Sequence, residues 1–365
     1  MGGHTRERGV ELSVEVEEEP TTDSDVFYNR DMVINRDISV ACLSAFDGED
    51  LRICDALGGS GVRGLRYLEE VETVSTALIN DIKEEAVENI RENVEMNGVE
   101  GAEVSRKDAN LLLTENFRSL DYVDVDPFGS PAPYLDSAAR SLGHESAVGV
   151  TATDLGPLYG SYPEVCRRRY AAEPMKTEFG HEVGLRILVK EVIQAFSRYD
   201  YAFIPLLAWN EQHYSRVFGR VEDSKQRANR LMEDIGGLSF CRECRWRGYG
   251  REERCPVCGG DTESAGPLWK GKLGDAEFAE DVVHELGDRG YGEAEEMVGT
   301  LSRELEVETP FYDLHELAST EGVKVPERDS FIGRLGERGF RASRTHFTPQ
   351  GVRTDAPLQE MREVL

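Results

Sequence analysis

The run Leu51-Arg52-Ile53-Cys54-Asp55 leads directly into Ala56-Leu57-Gly58-Gly59-Ser60-Gly61-Val62-Arg63-Gly64, and this junction limits the fold more than any other stretch. It reads as a buried strand, a glycine-rich turn and then a helix with Leu65, Leu68 and Val71 on one face. Such a βα unit lets backbone approach a nucleotide closely, with the amides of the helix N-terminus turned towards it. A second strand, Thr76 to Asn80, ends at Asp81, twenty residues past Gly61, where an acid receives ribose hydroxyls.

Residues 59–64 match the dinucleotide fingerprint G-x-G-x-x-G, so a nicotinamide enzyme has to be weighed. Three features turn the reading elsewhere. Asp55 stands at the tip of the first strand, ahead of Gly59, where a methyltransferase places an acid near the amino group of S-adenosylmethionine. A third strand, Ala102 to Arg106, ends in Asp108-Ala109, placed to take an adenine amino group. The fourth, Leu120 to Val125, ends in Asp126-Pro127-Phe128-Gly129. A row of acids at strand tips suits a cationic amino-acid nucleoside better than an anionic pyrophosphate.

Proline has no N–H for a ladder and pushes the preceding residue towards extended geometry, so the fourth strand stops at Asp126. A carboxylate and a backbone carbonyl there can accept hydrogen bonds from a planar exocyclic amine, while the Phe128 ring stacks on the base that carries it. The plainer alternative is a strand ending in a turn with one satisfied aspartate.

The rest of the first 235 residues fits this frame. A helix over 82–96 places Ile82, Ala86, Val87, Ile90 and Val94 on one stripe; Pro131 opens another through Ser141. Ala147 to Thr153 is a fifth strand ending at Asp154, and a helix spans Val183 to Phe196. Tyr201 to Ala208 and Tyr214 to Val221 form an antiparallel pair. The expected fold class is α/β: a class I, Rossmann-like methyltransferase with a mixed seven-stranded sheet, plus a smaller α+β C-terminal domain with a zinc site. Residues 1–24 read as a mobile lead-in with one short strand at Val10 to Val14, and residues 25–235 as the methyltransferase domain.

A linker is expected near Asp234 to Ser239, and residues 236–365 as a second, RNA-binding domain. Cys241-x2-Cys244-x10-Cys255-x2-Cys258 follows the linker, two pairs of thiolates that close a tetrahedron and leave no open position, so the zinc would be structural. Arg242, Arg245, Arg247, Arg251 and Arg254, interleaved with Trp246 and Tyr249, suggest a grip on RNA phosphates and bases. Two acidic amphipathic helices are expected over 275–305, joined at Gly290. From Arg328 to Arg353 there are six arginines and two acids, against a net charge of −28 for the whole chain. That local reversal points to a polyanion; the alternative is arginines paired with the acidic helices. The dispersed acids and scarce lysines look like adaptation to a high-salt cytoplasm. No apolar run reaches the about eighteen residues a membrane span needs, and no signal peptide precedes the fold, so a cytoplasmic protein is expected, by default a monomer.

The chain resembles the archaeal and eukaryotic tRNA guanine-26 dimethyltransferases, the Trm-one family, over nearly its whole length. The stretches that carry the likeness are Phe27-Tyr28-Asn29 with Asn35-Arg36-Asp37, the glycine loop with Arg63-Gly64-Leu65-Arg66, Asn80-Asp81, Asp126 to Pro131, Tyr159-Gly160-Ser161, the four cysteines, and Ala342 to Phe347. The resemblance implies transfer of two methyl groups in turn from S-adenosylmethionine to the exocyclic amine of one guanosine in tRNA. By that similarity Arg36, either Arg63 or Arg66, Asp81, Asp108 and Ala109 contact the cofactor, and Asp126, Pro127 and Phe128 hold the guanine. An amine of another base, adenine included, is the alternative substrate, and a non-catalytic zinc-containing RNA-binding protein is the alternative from another class.

Overall fold

The computed structural model describes residues 3–14, 26–211 and 213–365. The chain opens with a hairpin of β1 (His4–Glu7) and β2 (Val10–Ser13). Alternation puts Val10, Leu12 and Val14 on one face, and that face is buried. Residues 3–14 of the segment expected as a mobile lead-in are thus part of the fold; its residues 1, 2 and 15–24 lie outside the described residues.

Strands and helices then alternate: α1 (Val33–Ser44), β3 (Leu51–Asp55), α2 (Val62–Glu70), β4 (Val74–Asp81), α3 (Glu84–Asn97), β5 (Ala102–Arg106), α4 (Ala109–Glu115), β6 (Leu120–Val125), α5 (Leu135–Ser141) and β7 (Leu142–Ala152). After α6 (Leu155–Leu158), α7 (Pro163–Tyr170) and the long α8 (Gly180–Ser197), the antiparallel pair β8 (Tyr201–Glu211) and β9 (Tyr214–Asp223) completes one seven-stranded sheet, in the order β5-β4-β3-β6-β7-β9-β8. The first five of these strands run parallel; β4, β3, β6 and β7 are dominated by buried apolar residues, while the edge strand β5 has none buried. The chain moves outward from β3 through β4 to β5, then returns to place β6 on the other side of β3. That reversal opens a crevice at the carboxyl ends of β3 and β6.

Two local expectations change. Helix α5 starts at Leu135, after a 3-10 turn over Ala132–Tyr134, not at Pro131. Ile82 precedes α3 and is 62% exposed, so it does not join Ala86, Val87 and Ile90 on the buried stripe.

Past α9 (Lys225–Glu233), β10 (Ile235–Phe240), β11 (Arg247–Tyr249) and β12 (Glu263–Trp269) form a three-stranded sheet. The expected linker is therefore largely strand β10, with a bulge between Gly236 and Leu238. Its two glycines masked the strand, yet Leu238 and Phe240 are fully buried in the same core as the large sheet. The helical hairpin of α10 (Ala276–Asp288) and α11 (Gly292–Glu304), turning at Gly290, also packs on that core. A second, smaller core is built from β13 (Tyr312–Asp313), α12 (Leu314–Glu321), α13 (Arg328–Glu337), β14 (Ala342–Arg344), β15 (Gly351–Thr354) and α14 (Leu358–Glu363), together with Cys241, Cys244 and Cys255. Apart from those three cysteines, the buried residues of the smaller core run from Tyr312 onward. Arg353 ties the two cores together: buried in β15, it bonds Glu182 of α8 at 2.8 Å and Glu304 of α11 at 3.2 Å. Among the described residues no helix is long and apolar enough to cross a membrane.

Candidate active site

A cleft of about 750 Å³ opens at the crevice between β3 and β6. Asp55, Gly59, Asp81 and Asp126 from three strand tips and the glycine turn all line it, together with Arg36, Arg63, Pro127 and Phe128. The glycine turn is shaped by close contact. Gly59 has φ +57°, and a Cβ there would come within 2.7 Å of the Phe27 carbonyl oxygen. The Ser60 amide donates to that same oxygen at 3.1 Å, which seats the segment carrying Phe27 and Tyr28 against the turn.

Each oxygen of Asp81 accepts one backbone amide, Gly59 at 3.0 Å and Lys83 at 2.9 Å, which fixes the carboxylate at the β4 tip and leaves lone pairs for ligand hydroxyls. Asp55 accepts the Gly64 amide at 3.1 Å but has no ion-pair partner among the described residues. Burial and the neighbouring charge of Asp124 push its carboxyl up to about 7, with Arg63 opposing them. Asp124 behaves in the opposite way. Burial raises it, but Arg216 and Arg63 prevail and hold it near 2. Three acids thus face two guanidinium groups, and Asp55 is the acid left over. A cation placed in the cleft would restore the balance.

Asp126 is held by Arg63 through a short ion pair. The loop behind it is tied down at Gly129, whose amide donates to Thr153 Oγ1 at 2.6 Å and whose carbonyl accepts the Thr153 amide at 3.0 Å. Ser130 donates to the Tyr170 hydroxyl at 2.8 Å, and Tyr170 donates to Asp154 at 2.6 Å. On this braced loop the Phe128 ring is 60% exposed and meets the Phe27 ring edge-on, centroids 5.7 Å apart. Phe27, Ile82, Tyr134, Thr153 and His213 line the cleft without having been picked out. Phe27 lies in a stretch that carries the family likeness, but its sequence context assigns it no role of its own.

The structure separates Arg63 from Arg66. Arg66 is fully buried away from the cleft, held by Glu7 at 3.0 Å, Asp37 at 2.8 Å and Glu70 at 2.6 Å, so its guanidinium is already committed. Asp108 and Ala109 are likewise not among the cleft residues; Asp108 caps α4 by accepting the Leu111 amide at 3.1 Å. Arg36 reaches the cleft while bonding Glu7 at 2.7 Å.

The sulfurs of Cys241, Cys244, Cys255 and Cys258 lie within 4.8 Å of one another. A tetrahedron with Zn–S near 2.3 Å requires sulfurs about 3.8 Å apart, and the Cys241–Cys258 and Cys244–Cys255 pairs, at 3.5 and 3.4 Å, fit it. The surrounding arginines are less free than their spacing suggested. Arg247 is buried, pairs with Glu178 at 2.7 Å and lies over the rings of Phe179 and Tyr312. Arg242 pairs with Glu263, Arg245 with Glu178 and Glu316, and Arg254 with Asp261. Further along, Arg338 pairs with Glu360 and Glu363, Arg341 with Asp355, and both Arg328 and Arg344 with Asp329. The partners of these four are neighbours in the smaller core's own shell, whereas Arg353 of the same run pairs with Glu304 of the acidic helix α11.

Compared with known proteins, the sequence matches the family described as TRM, N2,N2-dimethylguanosine tRNA methyltransferase, over residues 9–365. The chain belongs to this family. It is 41% identical over 351 residues to the tRNA (guanine(26)-N(2))-dimethyltransferase of Methanothermobacter thermautotrophicus, covering 93% of this chain and 92% of that one. It is 37% identical over 361 residues to the tRNA (guanine(26)-N(2)/guanine(27)-N(2))-dimethyltransferase of Aquifex aeolicus, covering 95% and 91%. The structure superposes on Trm1 from Pyrococcus horikoshii, solved in complex with S-adenosyl-L-methionine, with a TM-score of 0.88, 31% identity and 99% of each chain covered. Two of the stretches that carried the family likeness come together in the structure. Tyr159 and His346 meet at Asn210: the Tyr159 hydroxyl donates to its side chain, and its backbone amide donates to His346 Nε2 at 3.1 Å.

Proposed function

We propose that this protein transfers methyl groups from S-adenosylmethionine to the exocyclic 2-amino group of guanosine 26 in tRNA, twice in succession. The observation that carries this reading is the meeting of Asp126 and Phe128 with Asp55, Asp81 and Gly59 in one cleft. A cleft of this size with one unbalanced acid, Asp55, and a second, Asp81, with lone pairs to spare fits a cationic amino-acid nucleoside. When bound, S-adenosylmethionine supplies an activated methyl group.

Asp55 faces the cofactor's amino group, and Asp81 receives ribose hydroxyls. Phe128 stacks on the guanine, and Pro127 ends the strand so that Asp126 stands at the edge of the cleft. The lone pair of a guanine amine is delocalised into the ring, which makes it a poor nucleophile. Asp126 and a neighbouring backbone carbonyl accept the two N–H bonds, favour a pyramidal nitrogen and aim its lone pair at the methyl donor; positioning supplies much of the rate. As the N–C bond forms, the nitrogen becomes strongly acidic, and Asp126 takes its proton. The four cysteines hold a structural zinc, and residues beyond 236 hold the tRNA. The protein works in the cytoplasm as a monomer.

The test is incubation with unmodified tRNA and methyl-labelled cofactor, followed by digestion and mapping. Dimethylated guanosine at position 26 is expected. Label on adenosine, or no label, overturns the reading; additional label at position 27 extends it towards the specificity in the Aquifex relative's name.

A further inference from the structure

We infer that the last turn of α7 and the segment after it form a basic track on which the tRNA backbone lies, running from the rim of the cleft to the zinc-binding unit. The track is Arg168, Arg169, Lys176 and Arg242, with the ring of Tyr162 beside it. The inference rests on the reading that tRNA is the substrate.

Charge along α7 and its exit runs against the rest of the chain. Between Pro163 and Lys176 there are four basic residues and two acids, in a protein whose net charge is −28. The helix buries Cys166 and Tyr170. At about 100° per residue Arg168 points directly away from that side, flanked by Arg167 and Arg169. All three are exposed. Arg167 is held by Glu173 at 2.6 and 2.9 Å, and Arg169 by Asp154 at 2.9 Å. No acid among the described residues pairs with Arg168.

Cations at a helix C-terminus often answer its dipole. Here that part is taken, because the buried ammonium of Lys190 on α8 donates to the Tyr170 carbonyl at the end of α7. The exposed arginines are therefore not needed to finish the helix, and cations gathered at one place on an acidic protein are the footprint of a polyanion.

Their place relative to the cleft identifies it. Asp154, which holds Arg169, follows Thr153 at the carboxyl end of β7, and Thr153 lines the cleft. Tyr170, next to Arg169, accepts the Ser130 hydroxyl from the loop that carries Phe128. A phosphate on Arg168 or Arg169 thus sits on the helix that braces the stacking ring. Tyr162, just before α7, is exposed with its ring against Gly156, a surface on which an unpaired base can stack. Past α7, buried Ala172 and Met175 pin the chain and leave Lys176 exposed beside Gly160. Arg242, next to the zinc ligand Cys241, donates to the Lys176 carbonyl at 3.3 Å. Its ion pair with Glu263 is half exposed on both sides, and such a pair gives way to phosphate. A guanosine seated against Phe128 leaves its flanking phosphates at this rim, and the track leads them towards the four cysteines.

Full-length Arg168→Glu, Lys176→Glu and the double variant test this, with Arg227→Glu as the control. Arg227 lies on α9, which follows the end of β9 at the amino edge of the parallel strands, opposite the cleft, and its replacement changes net charge equally. Filter binding of unmodified tRNA over a salt series is read beside calorimetry with S-adenosylmethionine and single-turnover methylation at saturating tRNA. Each single variant should weaken tRNA binding about three- to tenfold more than the control and lower the salt slope by about one unit, the double variant by about two. Cofactor affinity and the saturating rate should stay near the parent's. Variants that bind like the control, or keep the parent's slope, overturn the inference. So does a fall in cofactor affinity or in the saturating rate, which would make α7 a brace for the catalytic loop and no contact for tRNA. Should melting show the glutamate variants unfolded, Arg168→Gln and Lys176→Gln carry the test, with the same loss of slope expected and an unchanged slope overturning it. A parent protein that makes no methylguanosine overturns the proposed function itself; an active parent whose variants bind tRNA unaltered overturns only the track.

Discussion

The Glu7 carboxylate receives Nε of Arg36 at 2.7 Å, so the N-terminal hairpin holds a residue that lines the cleft. Arg66 and the Tyr28 hydroxyl bond the same carboxylate at 3.0 Å each. Burial raises Glu7, but the two guanidinium groups prevail and lower it to about 2. Replacing Glu7 with Ala leaves two buried arginines short of a partner, and a loss of roughly 3–5 kcal/mol in chemical denaturation is expected. Because the folded value lies below the unfolded one of about 4.3, this stabilisation is present above that pH and lost as pH falls towards 2. Deleting residues 1–14 should lower cofactor affinity through Arg36; unchanged affinity would show the hairpin to be dispensable.

Asp55 gives a pH dependence of the opposite sign. Burial and Asp124 raise it to about 7, so without ligand its protonated form favours the folded state at low pH, and that contribution is lost as pH rises through 4 towards 7. A bound cation needs Asp55 ionised, so cofactor affinity should fall about fivefold between pH 7 and 6. Calorimetry across this range should show proton release on binding, and Asp55→Asn should remove the pH dependence along with most of the affinity.

Phe128 is exposed and its ring is free to stack. Phe128→Ala should cost about 1–3 kcal/mol in tRNA positioning, seen as a raised KM, whereas Phe128→Tyr keeps the ring and should be largely tolerated. A tyrosine variant as impaired as the alanine one would rule out simple stacking.

Arg344 and Asp329 are each about half exposed, at 48% and 47%, and exposed pairs contribute little to stability. Phosphate can therefore compete for Arg344. Arg344→Glu should weaken tRNA binding and reduce its salt dependence by about one unit of slope, while Asp329→Asn, which frees the arginine, should strengthen binding. Filter binding over a salt series reads both.

Much of the chemistry was legible because it sits where local rules are strong. The limits of β3 and the acids at the tips of β3, β4 and β6 follow from buried runs ended by glycine, aspartate or proline. The zinc ligands follow from spacing. What could not be read depends on partners distant in the chain. Arg63 and Arg66 differ by three positions, yet one faces Asp126 and the other Glu7, Asp37 and Glu70. Arg247 resembled an RNA contact until Glu178, Phe179 and Tyr312 closed over it. Strand β10 was hidden by Gly236 and Gly237, because a strand whose worth lies in its neighbours leaves a weak local pattern. Ile82 kept the helical period but fell one turn too early, in the loop that borders the cleft.

The most direct test of the account is the Asp126→Ala protein, followed by calorimetry with S-adenosylmethionine and by single-turnover methylation of unmodified tRNA. The account predicts cofactor affinity near that of the parent and a methylation rate lower by at least about 10³-fold. Methylation within a few fold of the parent would contradict it, because the amine would then be presented by some other group.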